Sequence, residues 1–346
     1  MIMKKYRVGI VGTGGIAHAH IQGYRSVAND ICEVVAACDA NQRVLNEYCS
    51  KYDIPYHFTN AIDLIESGKV DVISLLTPPS VRSDIIFPAF DNGIHILVEK
   101  PFAECLSDAI SFVEAAEKAG VGLAVNQSLR FMPDVLKMRE LVKAGKIGQI
   151  RFISHDHYQN RTQTKGWRKD EKRLEISIFS IHILDRIRWL VGSKPKKVSA
   201  VTRYWDDNVK GETFTSLTIQ FENGVIGTMV SNWHSVIPDC RFRIDGTKGS
   251  ILSEKKAVTG DESTLTIKYT NKEAEKYSFN RRNAAKMNMG ESMKELLSAL
   301  NENRQPHNSG RDNLQTMAIV DAAYLSSSRD GYLINIKELG LNKALL

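Results

Sequence analysis

Three groups of residues in this chain combine types and spacings that suit chemistry. In the run Val8-Gly9-Ile10-Val11-Gly12-Thr13-Gly14-Gly15-Ile16-Ala17, the pattern Gly12-x-Gly14-x-x-Ala17 closes an apolar stretch and opens a helical one. Gly12 permits a tight turn, Gly14 lets a pyrophosphate approach the backbone, and Ala17 lets the helix pack near the strand. Gly15 and Ile16 place amides at the start of that helix, where free N–H groups and the dipole favour phosphate charge. Asp39 ends the next apolar run, about 20 residues on, where the ribose hydroxyls of a dinucleotide lie. A carboxylate there accepts from the 2′-OH and repels a 2′-phosphate, so NAD is expected over NADP. Arg43, one turn on, leaves NADP open. The second group is Glu99-Lys100-Pro101, which follows the apolar run 94–98 and so projects from the carboxyl end of a strand, where open α/β sheets bind ligands. The third is His182-x-x-Asp185 in the helical stretch 175–191, where Glu175, His182 and Asp185 share one stripe at 3.6 residues per turn.

These groups need rigid elements to hold them. Residues 6–11, 33–38, 70–76, 94–98 and 122–125 read as continuous apolar strands, suited to burial on both faces. Helical patterns from about 15 and at 42–52, 83–92 and 106–119 separate them, so the first part is an α/β Rossmann-type domain, a parallel sheet with helices on both faces. After about residue 148 the period changes to two at 149–158, 197–204, 214–221, 225–233, 240–245, 250–253 and 264–269. The turn Glu222-Asn223-Gly224 is a hairpin signal. The second part is therefore an α+β domain with an open, mainly antiparallel sheet, interrupted by helix 175–191 and closed by helices 292–301 and 311–327. The division falls at 1–125 and 126–346, with the last helix a candidate for packing back on the first domain.

Composition bounds the rest. The 346 residues suit two domains, and 42% hydrophobic with 25% charged residues excludes disordered, collagen-like and membrane classes. No apolar run approaches the roughly 18 residues of a spanning helix. Lys plus Arg total 46 against 40 acids, a formal charge of +6, yet no basic block marks a nucleic-acid surface. Cys32, Cys38, Cys49, Cys105 and Cys240 form no ligand spacing and read as reduced thiols. With no signal-like apolar segment near the start, a cytoplasmic location is expected. His155 and His157 alternate on a strand without a third ligand, so no metal is expected.

Together the opening Gly-x-Gly-Gly-Ile-Ala, Thr77-Pro78-Pro79, Glu99-Lys100-Pro101, Asn126 and His182-x-x-Asp185 resemble the Gfo/Idh/MocA oxidoreductases over nearly the whole chain. The resemblance implies hydride transfer between nicotinamide and a ring hydroxyl of a sugar, sugar acid or cyclic polyol such as an inositol. It implies cofactor contacts at Gly12, Gly14, Gly15, Ile16, Asp39, Thr77, Pro78, Glu99, Lys100 and Asn126. Lys100 would hydrogen-bond the substrate hydroxyl and stabilise developing alkoxide charge. His182 would accept the proton, an imidazole ordinarily titrating near 6.5, and Asp185 would hold a hydroxyl or orient the ring. Arg130, Trp167 and Arg168 are further substrate-contact candidates, and Pro101 invites a cis bond.

Two positions depart from the family pattern. Ile178 stands one turn before the histidine, where an Asp or Asn is usual, and Arg82 ends a run that usually ends in His. Arg82 is a candidate for cofactor phosphate or for no contact at all. The same residues also admit a glycosidase that uses NAD transiently, or a dinucleotide-binding regulator without turnover. An open antiparallel sheet invites pairing between copies, so a homodimer or homotetramer through the second domain is expected.

Overall fold

The structure, a computed structural model, describes residues 4–161 and 164–339. The chain forms two compact units. One runs to Phe131 and takes in Ala284–Leu314; the other comprises Met132–Asn283 and the residues from Gln315. From the amino terminus come β1 (Tyr6–Val11), α1 (Ala17–Val27), β2 (Cys32–Cys38), α2 (Gln42–Tyr52), β3 (Tyr56–Phe58) and α3 (Ala61–Glu66). There follow β4 (Val72–Leu75), α4 (Ser83–Asp91), β5 (His95–Val98), α5 (Leu106–Ala119) and β6 (Leu123–Val125). The second unit begins with α6 (Pro133–Lys143), β7 (Ile150–Asn160) and α7 (Ile181–Val191). Six more strands come after that: β8 (Pro195–Arg203), β9 (Phe214–Phe221), β10 (Ile226–Asn232), β11 (His234–Gly246), β12 (Gly249–Lys255) and β13 (Glu262–Tyr269). The chain continues with β14 (Glu275–Asn280), α8 (Ala284–Asn301), α9 (Gly310–Ser327) and β15 (Ile334–Asn335).

In the first unit the strands pair in parallel in the order β3-β2-β1-β4-β5-β6. Val8, Ile10, Val72 and Leu97 of the central strands pack with Ile21 and Tyr24 of α1 and Leu296 of α8 in one buried cluster. The expected strands and helices here are all present. Sequence reading missed the short β3 and α3, whose three and six residues carry too little period to register. Helix α8, rather than the last helix alone, joins this unit by lying against α1. Two glycines make the approach: a Cβ on Gly23 would sit 2.2 Å from the Lys286 carbonyl oxygen, and one on Gly290 would sit 2.3 Å from the Gly23 carbonyl oxygen. The segment after α8 adds backbone pairing to β6, with Val125 N–H donating to the Asn308 carbonyl at 2.8 Å.

The second unit is built on a nine-stranded sheet, β14-β13-β12-β11-β7-β10-β9-β8-β15, antiparallel except for the pair β7–β10. Inward residues Ile153, Ile219, Met229, Ile244 and Ile251 are fully buried, as are Leu184 and Ile187 of α7. At Gly227 an added Cβ would touch Ile187 and Ile153, so α7 lies close on the sheet there. Residues 175–191 do not form one α-helix. Glu175–Ser180 is a wider π-turn and only Ile181–Val191 is α-helical. Its cause is visible in the hydrogen bonds. The buried Glu212 carboxylate accepts the Leu174 and Ile176 amides at 3.1 and 2.9 Å, and Ser180 Oγ, five residues on, donates to Glu175 Oε1. The extra residue per turn breaks the expected stripe, turning Glu175 out of line with His182 and Asp185.

No helix among the described residues is long and apolar enough to cross a membrane. The α1–α8 contact yields a stability prediction. Gly23→Ala forces a methyl into backbone atoms of α8 and is expected to cost about 2 kcal/mol. A denaturant titration read by far-ultraviolet circular dichroism checks this, and an unchanged midpoint would contradict it.

Candidate functional site

In a parallel sheet all carboxyl ends lie on one edge, so the loops after β1, β2, β4, β5 and β6 meet there. Gly12, at φ +94°, lets the turn after β1 press on the end of β4: a Cβ there would stand 3.2 Å from Leu76 C and Thr77 N. At Gly14 and Gly15 an added Cβ meets nothing within 4 Å, and Gly14, Gly15 and Ile16 are exposed. Helix α1 begins after Ile16 with no side-chain cap and no acid in its first turn, and its Ala17 and Ala19 amides donate to the carbonyls of Gly14 and Ile16 at 3.0 Å. Asp39 supports this turn from β2. Its Oδ2 accepts the Thr13 amide at 2.8 Å and the Thr13 hydroxyl at 3.0 Å, while Oδ1 accepts the Asn41 amide. A carboxylate has lone pairs beyond these three bonds. Arg43 is exposed beside Glu47.

Two buried oxygens at the same edge have no hydrogen-bond partner among the described residues, Thr77 Oγ1 after β4 and Asn126 Oδ1 after β6. Pro78 is exposed next to Thr77. A helix start with no side-chain cap and no acid, open exposed glycines where a Cβ meets nothing, and two orphaned oxygens on one sheet edge fit a dinucleotide.

Lys100 follows β5, partly buried, and its bond to Pro101 is cis, as expected. The backbone on both sides of it is held by Arg82, for which the sequence leaves cofactor phosphate or no contact open. The guanidinium is 2% exposed. Its Nη1 donates to the carbonyl of Glu99 at 2.5 Å and to that of Pro101, while Nε and Nη2 reach the Thr77 carbonyl at 3.1 and 2.5 Å. Arg82 therefore ties the loop after β4 to the loop after β5.

Glu99 points into the unit and anchors a network the sequence did not reveal. Its Oε1 lies 2.8 Å from His20 Nε2 and also accepts the Asn126 amide, and Oε2 accepts the Lys100 N–H at 3.1 Å. An ionised carboxylate only accepts, so His20 donates from Nε2. Its Nδ1 is 2.7 Å from the Tyr24 hydroxyl, which is 2.7 Å from Ser74 Oγ. Burial alone would raise the Glu99 carboxyl; the hydrogen bond and charge of His20, the Lys100 charge and the Asn126 amide overcome it and hold Glu99 at about 2. A histidine one turn into the helix after a glycine turn was the available signal.

Other candidates fare differently. Arg130 is buried and donates to Asp312 Oδ2 at 2.6 Å and the His307 carbonyl at 2.8 Å. Its guanidinium braces the first unit through these bonds. In the second unit His182 is partly buried in the first turn of α7. Asp185 is fully buried and accepts from Arg188 Nη2 at 3.2 Å and Thr316 Oγ1 at 2.9 Å. The carboxylate thereby fixes α7 to α9. Ile178 sits in an apolar cluster with Leu174 and Trp233. Trp167 and Arg168 lie exposed on the short turn Gly166–Asp170, the guanidinium 5.0 Å from the ring centroid.

Comparison with known proteins adds a family. The model described as "Oxidoreductase family, NAD-binding Rossmann fold" matches residues 6–127, and that of the "GFO/IDH/MocA C-terminal domain" matches 135–252. A D-apiose dehydrogenase of Paraburkholderia graminis is 24% identical over 349 residues, covering 97% of this chain and 91% of the relative. An oxidoreductase from Agrobacterium radiobacter, solved with NAD+, L-tartaric acid and magnesium, shares the fold at TM-score 0.88 and 20% identity, covering 97% and 100% of the two chains. A levoglucosan dehydrogenase solved with NADH and levoglucosan does so at TM-score 0.85 and 19% identity, covering 96% and 100%.

The Glu99 network carries a pH signature. A carboxyl at about 2 when folded and 4.5 when unfolded contributes about 3 kcal/mol above pH 4.5, and loses it as pH falls toward 2. The stability gap between the wild type and Glu99→Gln should therefore be constant above pH 4.5 and shrink below it. Equilibrium unfolding at stepped pH measures this gap, and one that stays level from pH 6 to 2.5 would refute the assignment.

Proposed function

Because the chain belongs to the GFO/IDH/MocA family of NAD-binding oxidoreductases, we propose that it transfers hydride between a ring hydroxyl of a sugar or related cyclic polyol and the nicotinamide. One observation supports this above the others: the parallel sheet delivers the glycine turn, Thr77, Lys100 and Asn126 to one edge, with Lys100 fixed through both flanking carbonyls. The sugar class follows the names of the relatives, D-apiose dehydrogenase and levoglucosan dehydrogenase.

In this reading the amides of Gly14, Gly15 and Ile16 bind the pyrophosphate, Asp39 accepts from the adenosine ribose, and Thr77, Pro78 and Asn126 line the nicotinamide end. NAD, when bound, supplies the hydride acceptor. Lys100 donates a hydrogen bond to the substrate hydroxyl oxygen and stabilises the charge that grows as its proton leaves. His182 takes that proton. Glu99, Arg82 and Asp185 position these groups without touching substrate. Asp39 repels a 2′-phosphate, which favours NAD over NADP.

The test is a panel of aldoses, apiose, anhydrosugars and inositols with NAD and NADP, read by reduced-nicotinamide absorbance. Lys100→Met should lower kcat/KM roughly a hundred- to a thousandfold while NAD binding, read by fluorescence, persists. His182→Asn should lower it by a factor on the order of a hundred or more. Undiminished turnover in Lys100→Met would remove the lysine from the reaction. The apolar setting of Ile178 favours one second reading, a dinucleotide-binding regulator; it predicts tight NAD binding and no product from any substrate.

We also propose that copies associate through the outer face of the nine-stranded sheet. Phe152, Ile226 and Val230 lie half-exposed on the central parallel pair β7–β10, and apolar groups in mid-sheet favour a partner over water. Val230→Glu is expected to convert the oligomer to a monomer in sedimentation velocity. A wild type that already sediments as a monomer would dismiss this interface.

A further inference from the structure

The inner face of the nine-stranded sheet is not uniformly apolar. Register aligns Lys255, Cys240, His157, Ser231, Thr215 and Thr202 in one row across six strands, β12 to β8. All six are buried. At the β12 end this row meets Asp134 from α6, Arg186 from α7 and Arg281 after β14.

The charges there do not balance. Lys255 Nζ lies 2.7 Å from Asp134 Oδ2 and Arg281 Nε lies 3.4 Å from Asp134 Oδ1, with all three side chains fully buried. Arg186, also without exposure, adds a third cation. Its Nε donates to the His182 carbonyl and its Nη2 lies 3.3 Å from His155 Nε2, a neutral acceptor, since burial and the Arg186 charge push His155 well below its usual range. Cys240 Sγ is 3.9 Å from the same nitrogen, and burial pushes its thiol up, so it stays protonated and adds no negative charge. The other carboxylates near the cluster are engaged elsewhere or outside it: Asp185 pairs with Arg188, and Asp261, beside Arg281, is exposed. Three buried cations thus share one carboxylate. Arg186 Nη1 and Arg281 Nη1 are buried donors that no acceptor among the described residues meets.

A surplus of buried positive charge is strongly unfavourable unless a negative partner is present, and guanidinium N–H groups left unpaired add to the cost. Water accepts hydrogen bonds but cancels no charge. We propose that Arg186, Arg281 and Lys255 form an internal binding site for a small monovalent inorganic anion, of the size of chloride. Enclosure sets the size limit: Phe242, His155, Cys240 and Ser253 around the cluster have no exposure, so a sugar or a nucleotide phosphate is excluded. The site lies within the second unit and uses none of the residues assigned to cofactor or substrate.

The experiment compares thermal unfolding of the full chain in sodium chloride, sodium bromide and sodium gluconate at equal ionic strength. A saturable Tm rise of roughly 2–4 °C with either halide, and none with gluconate, is expected. Arg186→Met removes one surplus cation; it should be more stable than the wild type in gluconate and lose the halide increment. Crystals of the wild type soaked in bromide should show an anomalous peak against Arg186 Nη1 and Arg281 Nη1, a readout that does not depend on the variant folding. A halide-independent Tm with no bromide peak leaves these donors to water and overturns the proposal. So does a bromide peak elsewhere in the molecule.

Discussion

The geometry at the sheet edge depends on one buried guanidinium. Arg82 bonds three carbonyl oxygens, those of Thr77, Glu99 and Pro101, and so fixes the backbone on either side of Lys100 relative to β4. Such charge-assisted bonds contribute about 1.5–3 kcal/mol each, against a desolvation cost of several kcal/mol for burying the cation. Burial pushes Arg82 down to about 9, with the Glu99 charge opposing, so the side chain remains a cation at neutral pH. An imidazole, the usual group here in the family this chain resembles, has at most two donors. It could not reach both sides of the cis bond and Thr77 together. The substitution therefore changes how the lysine loop is held while leaving Lys100 in place.

Two buried glutamates show how partners, and not burial, decide charge. Glu99 has His20, Asn126 and the Lys100 charge, and is held at about 2. Glu175 is as deeply buried, but burial pushes it up to about 6; the hydroxyls of Ser180, Ser231 and Thr215 favour its charge and Glu212 opposes it. A carboxylate that sequence spacing places two turns before His182 is thus turned inward by the π-turn.

The readable parts of the sequence were those whose cause is local. Continuous Val/Ile/Leu runs mark strands buried on both faces, a glycine with positive φ marks the turn after β1, and Glu222-Asn223-Gly224 marks a hairpin, with Gly224 at φ +84°. What could not be read depends on partners far along the chain. Arg130 looks like a free guanidinium until Asp312 is brought to it, and Asp185 looks like a ligand until Thr316 arrives. The α1–α8 contact needs Gly23 and Gly290 together, and neither glycine alone signals a helix crossing. The π-turn follows from Glu212, more than 30 residues later, which no helical period within 175–191 encodes. A motif gives residue type but not solvent access, so the buried pairings of Arg82, Arg130 and Asp185 could not be read from it.

The two units also differ in how they close their buried charges. In the first, Arg82 and Glu99 are of opposite sign and Glu99 has His20, Asn126 and the Lys100 amide as donors, so the network is neutralised by its own residues. In the second, Asp134 must answer Lys255 and Arg281 while Arg186 stands nearby with an unmet donor. Asp134 is held at about 2 by those two cations despite its burial, so it already carries its full negative charge and has no more to give. Protonation cannot relieve the surplus from that side, and guanidinium groups resist deprotonation. Within the chain, only deprotonation of Lys255 or ionisation of Cys240 remains. Burial favours the first and Asp134 opposes it; for the thiol, burial opposes ionisation more strongly than the surrounding cations assist it. A charge supplied from solvent leaves both groups in their ordinary state, which is the physical reason to look for an anion there.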